Sequence, residues 1–263
     1  GVDAIFHLGA IVGDPACALD KELTYQINTN AVKMIREACR GYGIRRMVFA
    51  STCSVYGASE GIINEKSALN PVSDYARSKI EAETAILEHV TNDFRPTILR
   101  LGTAFGLSHR MRFDLVVNLL SAKAFRDGEI SIFNGHQWRP FVHIKDISRA
   151  FIATLEAEES VIGGEIFNVG DNEFNRKIHE LGDCIQQFVP SANITRKIVD
   201  EDQRSYNVDF SKIRKAIGFK NTVTLEEGVE EILEALKAEK IHDYSNAIYS
   251  NATFMKNNMR III

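Results

Sequence analysis

Short apolar runs rich in β-branched residues alternate along the chain with longer stretches whose apolar positions recur three and four residues apart. That alternation predicts a parallel sheet covered by helices. Ala4-Ile5-Phe6-His7-Leu8 reads as a buried strand, and Asp14-Pro15 beyond it offers an N-cap followed by proline at the first helical position. Ile27, Ala31, Ile35 and Ala38 repeat at helical spacing, and Gly41 and Gly43 close that helix. The next strand, Arg46-Met47-Val48-Phe49-Ala50, runs into the polar Ser51-Thr52-Cys53-Ser54. A helix over 73–90 and a strand over 97–101 complete this first series.

After Gly106 the pattern changes. Helical periodicity covers 113–125, 146–157, 178–188, 211–217 and 225–240, with Gly218 ending the fourth of these. Short strands are expected at 130–133, 139–143 and 165–169. No internal repeat or low-complexity linker separates the two halves, so a boundary near 105 divides lobes that interleave. No segment matches GxGxxG or GxxGxxG. The last residues, Met259-Arg260-Ile261-Ile262-Ile263, read either as an apolar tail or as a first strand stopped before its glycines, the second implying a fragment or a rearranged chain.

Composition narrows the class. With 263 residues, 45% hydrophobic and 25% charged, the chain can bury a sizeable core. A formal net charge of −4 gives no electrostatic case for nucleic acid or an anionic membrane as the main partner. The four cysteines, Cys17, Cys39, Cys53 and Cys184, have no CxxC spacing, which argues against a disulfide framework or a structural zinc and suits a reducing cytoplasm. No signal-peptide pattern and no apolar run of membrane-spanning length is visible, so a soluble protein with no membrane and no metal is expected.

The chemistry concentrates in Tyr75-Ala76-Arg77-Ser78-Lys79, where Tyr75 and Lys79 share one helix face. A neighbouring ammonium favours the phenolate, so the pair can act as a base at a carbinol carbon. Thr52, at a strand end upstream, supplies a hydroxyl to orient the substrate alcohol. YxxxK alone is common on solvated helices; its position after Ser51-Thr52 and Val55-Tyr56-Gly57 gives it weight.

With Phe49-Ala50-Ser51-Thr52-Cys53-Ser54-Val55-Tyr56-Gly57, Pro71 and Tyr75-x-x-x-Lys79 in place, the chain resembles the extended short-chain dehydrogenase/reductases, the NAD-dependent nucleotide-sugar epimerases and dehydratases. His7-Leu8-Gly9-Ala10, Arg100-Leu101-Gly102-Thr103-Ala104-Phe105-Gly106 and Arg139-Pro140-Phe141-Val142-His143-Ile144-Lys145-Asp146 carry the likeness along the chain. The resemblance implies a Rossmann-type parallel sheet, incomplete at its N-terminal part, over 1–105, with 137–157 returning to it. Residues 106–263 would then mainly form a smaller α/β lobe for a nucleotide-diphosphate sugar.

The resemblance also implies site residues. Thr52, Tyr75 and Lys79 would be catalytic. Leu8, Gly9, Ala10, Asn28, Ser51 and Leu101, with Tyr75 and Lys79, would contact NAD. Cys53, Ser54, Thr103, Asn118, Arg139 and Arg204 would face the nucleotide sugar, the arginines through their guanidinium forks. Relatives commonly pair as homodimers through helices corresponding to 20–39 and 73–90. His7 and His143 read as structural.

The reaction is narrower still. The family's dehydratases carry an acid–base pair directly after the threonine, where this chain has Cys53 and Ser54. Dehydration is therefore disfavoured and 4-epimerisation fits. A 4-dehydrogenase, or a non-catalytic nucleotide-sugar-binding subunit lacking the Gly-rich loop, stays open.

Overall fold

The computed structural model describes residues 1–199 and 204–262. The elements run β1 (Ala4–His7), α1 (Asp14–Cys17), α2 (Lys21–Tyr25), α3 (Ala31–Gly41), β2 (Arg46–Thr52), β3 (Ala58–Ile63), α4 (Asp74–Leu87), β4 (Thr97–Leu101) and β5 (Thr103–Phe105). They continue α5 (Val116–Asp127), β6 (Glu129–Phe133), β7 (Trp138–His143), α6 (Ile144–Glu156), α7 (Glu159–Ile162), β8 (Ile166–Val169), β9 (Asn175–Lys177) and α8 (Ile178–Phe188). Last come β10 (Asn193–Lys197), β11 (Ser205–Val208), α9 (Ser211–Ile217), α10 (Leu225–Lys237) and α11 (Asn251–Ile262).

Four parallel strands in the order β1-β2-β4-β8 form the main sheet. Alternation along β2 sends Met47 and Phe49 to one face, where Val32, Cys39, Ala82 and Ile86 of α3 and α4 cover them. Val48 points the other way, onto Ala150 and Phe151 of α6 and Ile213 of α9. Two-sided burial is what makes β2 and β4 read as near-continuous apolar runs. β1 departs from the expected buried strand: it lies at the sheet edge, with Phe6 41% and Leu8 60% exposed. Apolar character alone does not bury a strand that has a neighbour on one side.

The second lobe is built around a separate core. Val117, Leu120 and Ala124 of α5, Leu181 and Ile185 of α8, and Val229, Ile232, Leu233 and Leu236 of α10 enclose Ile130 and Ile132 of β6. Within this lobe β10 pairs in parallel with β6, and the parallel pairing of β11 with β3 ties the lobes together. Asp146, fully buried at the first turn of α6, fastens the entrance to α10. Its carboxylate accepts the backbone N–H groups of Thr222 and Val223 at 3.0 Å.

The tail differs from the strand reading. Met259–Ile262 continue helix α11, and Ile263 lies outside the described residues. The helix starts where the Ser250 hydroxyl accepts from the Thr253 N–H, and Ala, Met, Lys and Arg propagate it readily.

One turn depends on glycine. Gly57, between Tyr56 and β3, has φ of 63°, and a Cβ there would lie 1.8 Å from the Asn70 carbonyl oxygen. Gly57→Ala is expected to lower stability by about 2–3 kcal/mol. A urea melt checks it.

Candidate active site

β2 and the α4 helix set the candidate catalytic side chains. Ser73 caps α4, its Oγ accepting from the Ala76 N–H at 3.2 Å, so Tyr75 and Lys79 project together from the first turns. Tyr75 is 9% exposed, Thr52 8% and Lys79 3%. The Thr52 hydroxyl and the Tyr75 phenol line the same cleft, close enough for Thr52 to favour ionisation of the phenol. Lys79 places its ammonium 4.3 Å from the centre of the Phe49 ring.

The protonation states differ from the sequence expectation. Burial pushes the Tyr75 phenol up, and the neighbouring Thr52 hydroxyl offsets this only in part. Burial likewise brings Lys79 down to about 8, with the Glu83 carboxylate pulling the other way. In the protein alone, desolvation therefore outweighs the help Tyr75 was expected to draw from Lys79.

Behind this pair lies a buried polar chain. Arg100 on β4 grips Glu83 of α4 with Nη2–Oε2 at 2.6 Å and Nε–Oε1 at 3.0 Å. The Ser51 hydroxyl donates to the same carboxylate. Arg100 Nη1 donates to the Tyr56 hydroxyl at 3.0 Å, and that hydroxyl donates to Asn168 Oδ1 at 2.7 Å on β8. The network joins three strands to the catalytic helix directly beside Thr52.

Asn28 braces the same region from the other side. It sits in a π-helical turn, Gln26–Asn30, between α2 and α3. Its Oδ1 accepts from Ile11 N–H at 2.8 Å, and its Nδ2 donates to Ile11 O at 2.9 Å and to Ser78 Oγ at 3.0 Å. The extra residue in that turn lets the helix present Asn28 to both loop and catalytic helix.

A cleft of about 570 Å³ opens from Tyr75 and Thr52 toward the second lobe. Of the residues picked from sequence, Ser51, Thr52, Ser54, Tyr75, Leu101, Thr103, Arg139 and Arg204 line it. Cys53 and Asn118 do not. Cys53 opens the short 3-10 turn Cys53–Tyr56 after β2, where its thiol packs into the core and donates to the Arg100 carbonyl at 3.3 Å. Asn118 spends both ends of its amide on the backbone, accepting from Gly106 N–H at 3.1 Å and donating to Arg112 O at 3.0 Å. Leu8, Gly9 and Ala10 lie off the cleft at the end of β1.

Sequence reasoning missed much of the lining. Gly13, Asp14, Arg112, Asp114, Gln137, Tyr206, Ser250 and Ala252 all contribute. Arg112 belongs to the basic run Arg110-Met111-Arg112. Both carboxylates among the described lining residues are in ion pairs, Asp14 with Arg204 at 2.8 Å and Asp114 with Arg112 at 2.9 Å. Arg139 stacks 5.5 Å over Tyr206 and donates to the Arg204 carbonyl. His143 is structural in its contacts: buried, it meets Glu231 at 2.9 Å, and Gly106 leaves room for its ring. Among the described residues no cluster of His, Cys, Asp and Glu could hold a metal ion, and no helix is long and apolar enough to cross a membrane.

A tyrosine and lysine one turn apart, a strand-end threonine and a cleft between an α/β sheet and a second lobe define an oxidoreductase-type site for a polyhydroxylated ligand. The NAD dependent epimerase/dehydratase family matches residues 1–170, and the chain belongs to it. An uncharacterized UDP-glucose epimerase, YtcB, of Bacillus subtilis is 30% identical over 234 residues, covering 87% of this chain and 72% of that protein. The UDP-glucuronate 4-epimerase of Thermodesulfobacterium geofontis is 24% identical over 253 residues, 91% of this chain and 76% of its own. The Bacillus cereus UDP-glucuronic acid 4-epimerase, solved with UDP-glucuronic acid and NAD, superposes with a TM-score of 0.80 at 26% identity, covering 90% of this chain and 76% of that one. The sheet is Rossmann-type, the family is NAD-dependent, and the chain is an NAD-dependent nucleotide-sugar epimerase/oxidoreductase.

The residues present fit the nicotinamide-ribose end of such a cofactor. The buried Lys79 ammonium, held over Phe49 beside Tyr75, is a donor suited to ribose hydroxyls. Its burial has a cost that a variant can release. Below about 8 the ammonium is charged both folded and unfolded, and folding must desolvate it. Above that value the folded chain releases the proton first, so stability rises with pH until the ordinary lysine range. Lys79→Met is therefore expected to raise stability by about 2 kcal/mol near neutral pH while removing turnover. Urea melts beside an activity assay check both.

Proposed function

We propose that the chain is a nucleotide-sugar 4-epimerase in which Tyr75 takes the proton from the C4 hydroxyl of a UDP-sugar. The observation that carries this is that Tyr75 and Thr52 line one end of the cleft together, with Lys79 one turn along α4. Thr52 orients the substrate hydroxyl, and Tyr75 holds the proton between oxidation and re-reduction. When bound, NAD supplies the hydride acceptor at C4 and a positive ring whose field favours the Tyr75 phenolate. Arg139 and Arg204, at the second-lobe end, suit the diphosphate.

Water loss is disfavoured by the same geometry. Expelling water calls for an acid–base group at the sugar besides Tyr75. Cys53 faces the core, Ser54 carries no carboxylate, and Asp14 and Asp114 are already paired with arginines. Epimerisation needs no further acid once the ketone can be reduced on its other face.

The test is incubation with NAD and UDP-glucuronic acid or UDP-glucose, followed by chromatography of the products. A C4 epimer without lasting NADH absorbance supports the proposal. Stoichiometric NADH with a released ketone would replace it by a 4-dehydrogenase, and a UDP-sugar that binds without reacting would leave a binding subunit.

A further inference from the structure

The segment leading into α11 is welded across the catalytic end of the cleft. Asn251 is the hub: its backbone N–H donates to Asp114 Oδ2 at 3.0 Å, and its Nδ2 donates to the Val12 carbonyl at 3.0 Å. Its Oδ1 accepts from Arg110 Nη1 at 2.9 Å. One side chain thus joins the loop after β1 to the loop before α5. The weld is reinforced on both sides. Phe113 N–H donates to the Tyr249 carbonyl at 2.9 Å, and the Arg110 guanidinium lies 5.5 Å over the Phe254 ring.

The flanking side chains face the cavity. Ser250 and Ala252 line the cleft, and Ala252 and Met255 pack against the cluster of Ile11, Ala16, Cys17 and Tyr75. The wall therefore stands at the Tyr75 end, where the sugar must sit if Tyr75 is the base. Its side chains are small, and Asp114, held by Asn251, is the same carboxylate that fixes Arg112.

We propose that Ser250 and Ala252 form the sugar-side wall of the cleft and that Asn251 is the positioning residue that sets its width, so that this chain selects its sugar through its last helix. The inference rests on the reading of the cleft as a nucleotide-sugar site. It assigns discrimination to a segment that touches neither Thr52 nor Lys79, and it predicts that sugar binding and nucleotide binding separate.

The experiment is calorimetric titration of the whole chain with UDP and with UDP-glucuronic acid, wild type against Asn251→Ala and Ala252→Leu. Ala252→Leu narrows the cavity directly and leaves the Asn251 bonds in place. The expected result is at least a tenfold loss of affinity for UDP-glucuronic acid in each variant, with UDP affinity changed less than twofold. Equal losses for both ligands, or no loss in either variant, would overturn the inference while leaving the function reading intact. A wild-type chain that binds neither ligand would overturn both.

Discussion

Tyr75→Phe is expected to lower epimerase turnover by about a thousandfold, the range a positioned general acid–base group commands. Affinity for the UDP-sugar should stay within about threefold, because the ring remains and the hydroxyl serves the reaction more than the ground state. The reason is specific to this site. The phenol is buried and its ionisation is opposed by desolvation, and among the described residues both lining carboxylates, Asp14 and Asp114, are held by arginines. Cys17, packed against the same ring, has a thiol that burial pushes up to about 11, too high for an effective base. Steady-state kinetics with a binding titration decide the matter. Turnover within tenfold of wild type would remove Tyr75 from its assigned role.

Glu83→Ala is expected to cost about 3–5 kcal/mol of stability. The carboxylate lies with Arg100 in the protein interior, each side chain 3% exposed. Removing it strands a guanidinium that water cannot reach, and it also frees the Ser51 hydroxyl next to Thr52. Replacing both partners with apolar residues, as in Glu83→Leu with Arg100→Met, should cost much less, because no buried charge is left alone. Denaturant melts of the single and double variants separate these outcomes. A single variant within about 1 kcal/mol of wild type would show that the pair is not the brace described here.

How far the sequence carried this depends on what each residue's environment requires. The faces of β2 were legible because Met47 and Phe49 alternate with Val48, and both faces are covered by helices. β1 was misread as buried because its apolar residues say nothing about how many neighbours the strand has. The β3–β11 pairing joins residues far apart in sequence, and no local pattern announces it. Thr52 and Tyr75 were legible as a motif, and their shared place in the cleft follows from the Ser73 cap and the strand end. Cys53 follows Thr52 directly in sequence, yet the 3-10 turn that begins there packs its thiol into the core. Arg112, Asp114 and Asn251 were missed because their roles arise from contacts between separate loops. The π-helical turn at Asn28 was likewise invisible, since its cause is a side chain bonding to residue 11 and to Ser78.

In the proposed 4-epimerase the C4 hydrogen leaves and returns through the bound cofactor while Tyr75 handles only the hydroxyl proton. Proton NMR of the product formed from UDP-glucuronic acid with NAD in deuterium oxide tests this directly. The expected product is a C4 epimer that carries no deuterium on any ring carbon. Deuterium at a ring carbon, or no epimer from a chain that binds the UDP-sugar, would contradict it.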